Sequence, residues 1–198
     1  MKKTCLALIV AVAAAGLVWA RQEKGGQEKG GQEGWKMPEP AKEHELLKQF
    51  DGTWDWVMKF KAAMGPDAPE QECKGSEVCS MVGGFWTVFD TKSPSMMGMP
   101  WHGHGAIGYD PDKKKYVGTF INNMSPYLMS GEGTADGPNK LTMAWVGKDA
   151  HSDRTEKMRQ VSETKDKDHA VMTMYGVGED GKEVVIFTIN YTRKAAAK

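Results

Sequence analysis

The sequence predicts an all-β fold: an antiparallel up-and-down barrel of about ten strands with one short N-terminal helix. Three observations point there. From Gly52 onward the apolar residues recur with a period of two. Turn signals (GPDAP, GG, DPDKK, ADGPN, KDKD, GEDGK) separate the alternating stretches. No helix-length pattern interrupts them, so parallel crossovers have nowhere to run. A meander this long either closes or folds over, because an open sheet leaves two unpaired edges.

Taken in order, the chain opens MKKTCLALIVAVAAAGLVWA, with two lysines, an apolar run from Cys5 to Trp19, and small residues at Val18 and Ala20. This pattern predicts a secretory signal peptide over residues 1–20, and hence an exported, periplasmic or extracellular protein. The run is short for a bilayer span, which needs about 20 apolar residues. No stable membrane insertion is therefore expected. Residues 21–36, with their imperfect QEKGG repeat, carry almost no apolar side chains and read as a disordered low-complexity tether. The barrel domain is expected over residues 37–194, with a tail at 195–198.

The helix is predicted just after Pro40, in AKEHELLKQF, where Leu46, Leu47 and Phe50 form one stripe and Gly52 lies beyond the end. His44 reads as an exposed helix residue. Ten strand segments follow: GTWDWVMKF, ECKGSEVCSM, FWTVFDT, HGHGAIGYD, KYVGTFIN, YLMSGEGT, KLTMAWVG, KMRQVSET, HAVMTMYG and EVVIFTINYTR. In the first, Trp54, Trp56, Met58 and Phe60 share a face. In the last, both faces carry apolar groups, as expected if one lines a cavity.

Charge and cysteine content narrow the function classes. The formal charge is zero, and loss of Lys2 and Lys3 with the leader makes it slightly acidic, so no nucleic-acid partner is expected. Cys73 and Cys79 fall on one face of one strand segment, six residues or roughly 20 Å apart, beyond disulfide reach. They pair only if the chain turns between Lys74 and Glu77.

Several blocks, EHELLKQFDGTWDW, GGFWTVFD, MMGMPWHGHGAIGYDPDKKKYVGTF, MSPYLMSGEGTAD and INYTRK, occur in an order that resembles the bacterial domain-of-unknown-function family 1579 over roughly Met37 to Lys194. That resemblance implies no activity. More distantly, GTW at Gly52 to Trp54, together with Arg193, is similar to the closing signature of lipocalin-like (calycin) barrels. It implies barrel closure by Trp54 packed beneath Arg193, a cation over an indole face. After YVGTFI, where the resemblance to family 1579 leads us to expect an acidic residue, this chain has Asn122 and Asn123, so a role for a carboxylate there does not carry over.

Two kinds of site fit the residues. The first is a cavity for a small apolar or amphipathic molecule, lined by Trp56, Trp86, Phe120, Tyr127, Glu132 and Trp145. The alternative is a copper or zinc site in SMMGMPWHGHG. His102 and His104 share a strand face, and Met97 and Met99 would favour Cu(I), although three or four ligands are normally required. That stretch otherwise reads as a glycine-broken loop leading into the fourth strand. The cavity reading needs no cofactor. No nucleophile elbow, phosphate loop or zincin helix is present, so the sequence does not point to an enzyme. A catalytic carboxylate, if there were one, would be sought at Glu132.

Overall fold

The computed structural model describes residues 36–61, 69–149, 154–178 and 180–195. The expected leader, nearly all of the tether and the last residues of the tail lie outside the described residues. Within Pro38–Lys198, ten antiparallel strands close into a barrel. They are β1 (Gly52–Lys61), β2 (Glu70–Val82), β3 (Trp86–Met96), β4 (Met99–Asp110), β5 (Lys115–Asn122), β6 (Ser125–Ala135), β7 (Lys140–Lys148), β8 (Thr155–Thr164), β9 (His169–Val177) and β10 (Glu183–Arg193). Each strand pairs with its neighbours in sequence, and β1 pairs with β10 from Trp54 opposite Arg193 to Phe60 opposite Phe187. All ten strand segments read from the alternation are present.

On most strands buried, largely apolar positions alternate with exposed ones. Among the described residues, no helix is long and apolar enough to cross a membrane. On β1, Trp54, Trp56 and Met58 are buried, whereas Asp55 and Lys59 are exposed. The same parity carries Cys73 and Cys79 inward on an unbroken β2, where both remain free thiols.

The helix α1 (His44–Lys48) is shorter than its apolar stripe predicts. Its continuation is cut off because other groups take the following carbonyls. Trp54 Nε1 donates to the Phe50 oxygen at 2.8 Å, and Arg193 Nη2 donates to the Gln49 oxygen at 2.8 Å. The helix lies at one end of the barrel with Leu46 and Leu47 buried against Tyr116, Leu141 and Trp145. His44 is not exposed: it is 3% accessible, edge-on to Phe85 and Tyr109, with Nδ1 3.1 Å from the Ala41 oxygen. It sits three positions before Leu47 and so shares that buried stripe.

The stretch SMMGMPWHGHG is a hairpin rather than a loop. Strand β3 continues through Met96, β4 begins at Met99, and only Met97 and Gly98 turn, with φ of 52° and 82°. Two consecutive positive φ values make the tight turn whose twist matches the flanking strands.

Candidate functional site: an apolar cavity with one interior carboxyl

The strands enclose a cavity of about 420 Å³ that runs from Leu47 and Trp54 at the helix end to Met96, Met97 and Ile186 at the other. Its wall is largely aromatic and thioether, with Trp56, Trp101, Phe120 and Trp145 joined by Met129, Met158 and Met172. Glycines let the large rings lie flat against the sheet. A Cβ at Gly75 would fall 2.1 Å from the Trp56 ring, and one at Gly131 would fall 2.7 Å from the Trp145 ring.

Strand parity decides which expected residues reach this space. Trp56, Phe120 and Trp145 line it. Trp86 does not: Thr87, Phe89 and Thr91 take the inner face of β3, leaving Trp86 on the outside, 41% exposed and lying over Gly108. Glu132 is also outside, because its neighbour Gly131 points inward. Its carboxylate pairs with Lys115 at 2.9 Å and Lys113 at 3.2 Å, which hold it below the usual carboxylate range. Tyr127 shares the parity of Met129 but lies two residues nearer the end opposite the helix, beyond the cavity wall. Lys148 Nζ is 5.1 Å from its ring.

The histidines of the proposed metal site are on the outer wall. His102 Nε2 and His104 Nδ1, the latter at 2.8 Å, both bond the Asp90 carboxylate of the adjacent strand. These hydrogen bonds, that of His102 foremost, lower the Asp90 pKa. Met97 lines the cavity end and Met99 is exposed, so the thioethers and imidazoles do not converge. Among the described residues, no group of three His, Cys, Asp or Glu side chains is arranged to hold a metal. Asn123, at the position expected to be acidic, accepts from the His102 N–H at 2.9 Å and donates to the Pro100 oxygen at 3.1 Å, which ties the β5–β6 turn to the start of β4.

The interior carboxyl is Glu77. It lies opposite Trp54 in the β1–β2 register and borders the cavity beside Cys79, Thr91 and Tyr191. Cys79 Sγ donates to Glu77 Oε1 at 3.4 Å, and Thr91 also bonds the carboxyl. Desolvation outweighs both contacts and pushes the Glu77 pKa up to about 7. The same burial raises the Cys79 thiol and the Tyr191 phenol, each further raised by the Glu77 charge. A second polar chain runs from Trp145 Nε1 to Gln160 Oε1 at 2.8 Å, and from Gln160 Nε2 to Ser162 at 2.8 Å. The sequence carried a signal for Glu77: it shares parity with Cys73 and Cys79, so the face holding both thiols also holds the acid.

A family profile described as a protein of unknown function, DUF1579, matches residues 39–193. The chain belongs to this family. No curated protein matches the DUF1579 chain in sequence. Among solved structures, the DUF1579 barrel is similar to Rv2717c from M. tuberculosis, with 12% identity and a TM-score of 0.56, over 79% of this chain and 100% of that one. At that identity the likeness concerns the fold. It also matches a redesigned β-barrel (12% identity, 76% of this chain and 96% of that one, TM-score 0.42). A de novo designed fluorescence-activating β-barrel matches at 14% identity, over 76% of this chain and 98% of that one, with a TM-score of 0.37.

Proposed function

We propose that this DUF1579 barrel binds a small apolar or amphipathic molecule in its interior, outside the cytoplasm. The observation that carries the reading is the cavity itself. A small barrel can fill its interior with side chains. This one instead leaves about 420 Å³ between Trp56, Phe120, Trp145 and Met172, with a few polar groups placed among them. Ligand sites are built in this way, from an apolar wall of roughly 300–1,000 Å³ and a few convergent polar atoms. Export rests on Lys2, Lys3 and the apolar run that ends at Ala20.

Native mass spectrometry of the protein purified from its own cells tests the reading. The expected spectrum contains a non-covalent organic adduct that is released on mild unfolding. A spectrum of bare protein, from a sample that also takes up no added apolar probe, overturns it.

A further inference from the structure

Near its helix end the cavity holds a single carboxyl, Glu77, set among the Cys79 thiol, the Thr91 hydroxyl and the Tyr191 phenol. Glu77 lies opposite Trp54, and Trp56 lies opposite Tyr191. The Trp54 and Tyr191 rings meet edge to face with centroids 6.4 Å apart. The Trp56 N–H is taken by the Thr91 hydroxyl at 3.0 Å, whereas the Tyr191 hydroxyl has no hydrogen-bond partner among the described residues. The result is a carboxyl enclosed by protein, bordered by three aromatic rings and open to the cavity.

The groups facing Glu77 can be named strand by strand. Strand β1 presents only Trp54 and Trp56, and β2 adds Cys79. Strand β3 presents Thr91, since Asp90 points outward to its histidines. Strand β10 adds Tyr191, and Asp51 acts on the site from the end of the helix. Arg193, whose charge acts on Cys79, lies against the Trp54 ring rather than in the cavity. Lys61 lines the opposite end. Among the described residues, no cation within the cavity reaches Glu77.

We infer that the cavity takes an amphipathic amine, its ammonium seated on the Glu77 carboxylate against the Trp54, Trp56 and Tyr191 rings and its apolar body running toward Phe60, Met96 and Phe187. The inference rests on the cavity-binding reading above and gives the ligand a chemical class. A desolvated acid with no cation beside it gains more from a ligand ammonium than a solvated one does. Aromatic faces around the site add cation–π attraction. A carboxylate ligand would instead set two acids together in an apolar space.

The test is titration of the full chain with decylamine, decanol and decanoate below their micellar concentrations, followed by tryptophan fluorescence at pH values from about 5 to 9. At about pH 8, decylamine is expected to bind at least roughly tenfold tighter than decanol and tighter still than decanoate. Its affinity is expected to rise about tenfold per pH unit on the acid side and level off above about pH 7, as the carboxyl loses its proton on binding. In Glu77→Gln the preference for the amine disappears while decanol still binds. If that variant does not fold, the pH profile of the unaltered protein decides. Decanol or decanoate binding as tightly as the amine, or a flat pH profile, overturns the ammonium and leaves the cavity reading standing. Failure of all three to bind overturns both.

Discussion

The guanidinium carbon of Arg193 lies 4.0 Å from the Trp54 ring, and the same side chain ties two segments, the α1–β1 connection and the β8–β9 turn, to that end of the barrel. Nη2 reaches the Gln49 oxygen at 2.8 Å, Nη1 the Asp51 oxygen, and Nε the Lys167 oxygen at 2.7 Å in the β8–β9 turn. Gly52, at φ +121°, makes the approach possible, because a Cβ there would fall 2.6 Å from Nη1. The last strand thus terminates the helix and covers the tryptophan of the first.

Replacing Arg193 with Met keeps most of the apolar stem and removes the charge and the donors. The expected cost is about 2–4 kcal/mol, read as a lower urea midpoint with an unchanged slope. A loss under about 0.5 kcal/mol, the level of ordinary surface changes, would mean that the latch is ornamental.

Glu77 makes stability depend on pH with a definite sign. Its pKa is raised to about 7 in the fold, so between its unfolded value and pH 7 the folded state holds a proton that the unfolded chain has lost. This contribution is fully present in acid and is lost as pH rises through about 7, by about 3 kcal/mol at most. Urea midpoints measured from pH 5 to pH 8 should fall more in the native protein than in Glu77→Gln. Parallel curves for the two proteins would show that the carboxyl is solvated.

Gly75 lies under the Trp56 ring, and an added Cβ would also sit 2.2 Å from the Lys92 carbonyl oxygen, which is backbone and cannot swing away. Gly75→Ala should therefore destabilise by about 1–3 kcal/mol and shift the fluorescence of the displaced indole. Unchanged stability and spectrum would mean that the sheet and ring yield freely at this point.

The first strand was legible in the sequence because inward and outward positions alternate without a break from Thr53 to Phe60. In β10 a bulge between Val185 and Phe187 interrupts that alternation, and the closing pair came from the likeness of GTW and Arg193 to lipocalin-like barrels. Parity within one strand separates two faces but does not say which is inner. Trp86 and Glu132 could be assigned only once Thr87 and Gly131 were seen to point inward. Glu77 was overlooked for the opposite reason, since a charged residue between Lys74 and Cys79 reads as surface until its neighbours prove buried. The hairpin at Met97 and Gly98 was hidden because β3 continues through Ser93, Pro94 and Ser95, residues that ordinarily mark a loop.

The His102–Asp90–His104 cluster is half exposed on the outer wall. A His102→Ala, His104→Ala double variant should lose less than about 1 kcal/mol of stability and bind cavity ligands as the native protein does. Loss of ligand binding in the double variant would place the functional site on the outside of the barrel.

Met172 projects into the cavity and packs against the clusters at both of its ends, so Met172→Trp fills the space without touching the latch. Titration with naphthalene, followed by tryptophan quenching, is the direct test of the cavity as a binding site. The native protein should saturate with one equivalent, and the Met172→Trp protein, folded to the same urea midpoint or higher, should bind at least about tenfold more weakly. Unsaturable quenching in the native protein, or equal affinity in the filled one, would contradict the account.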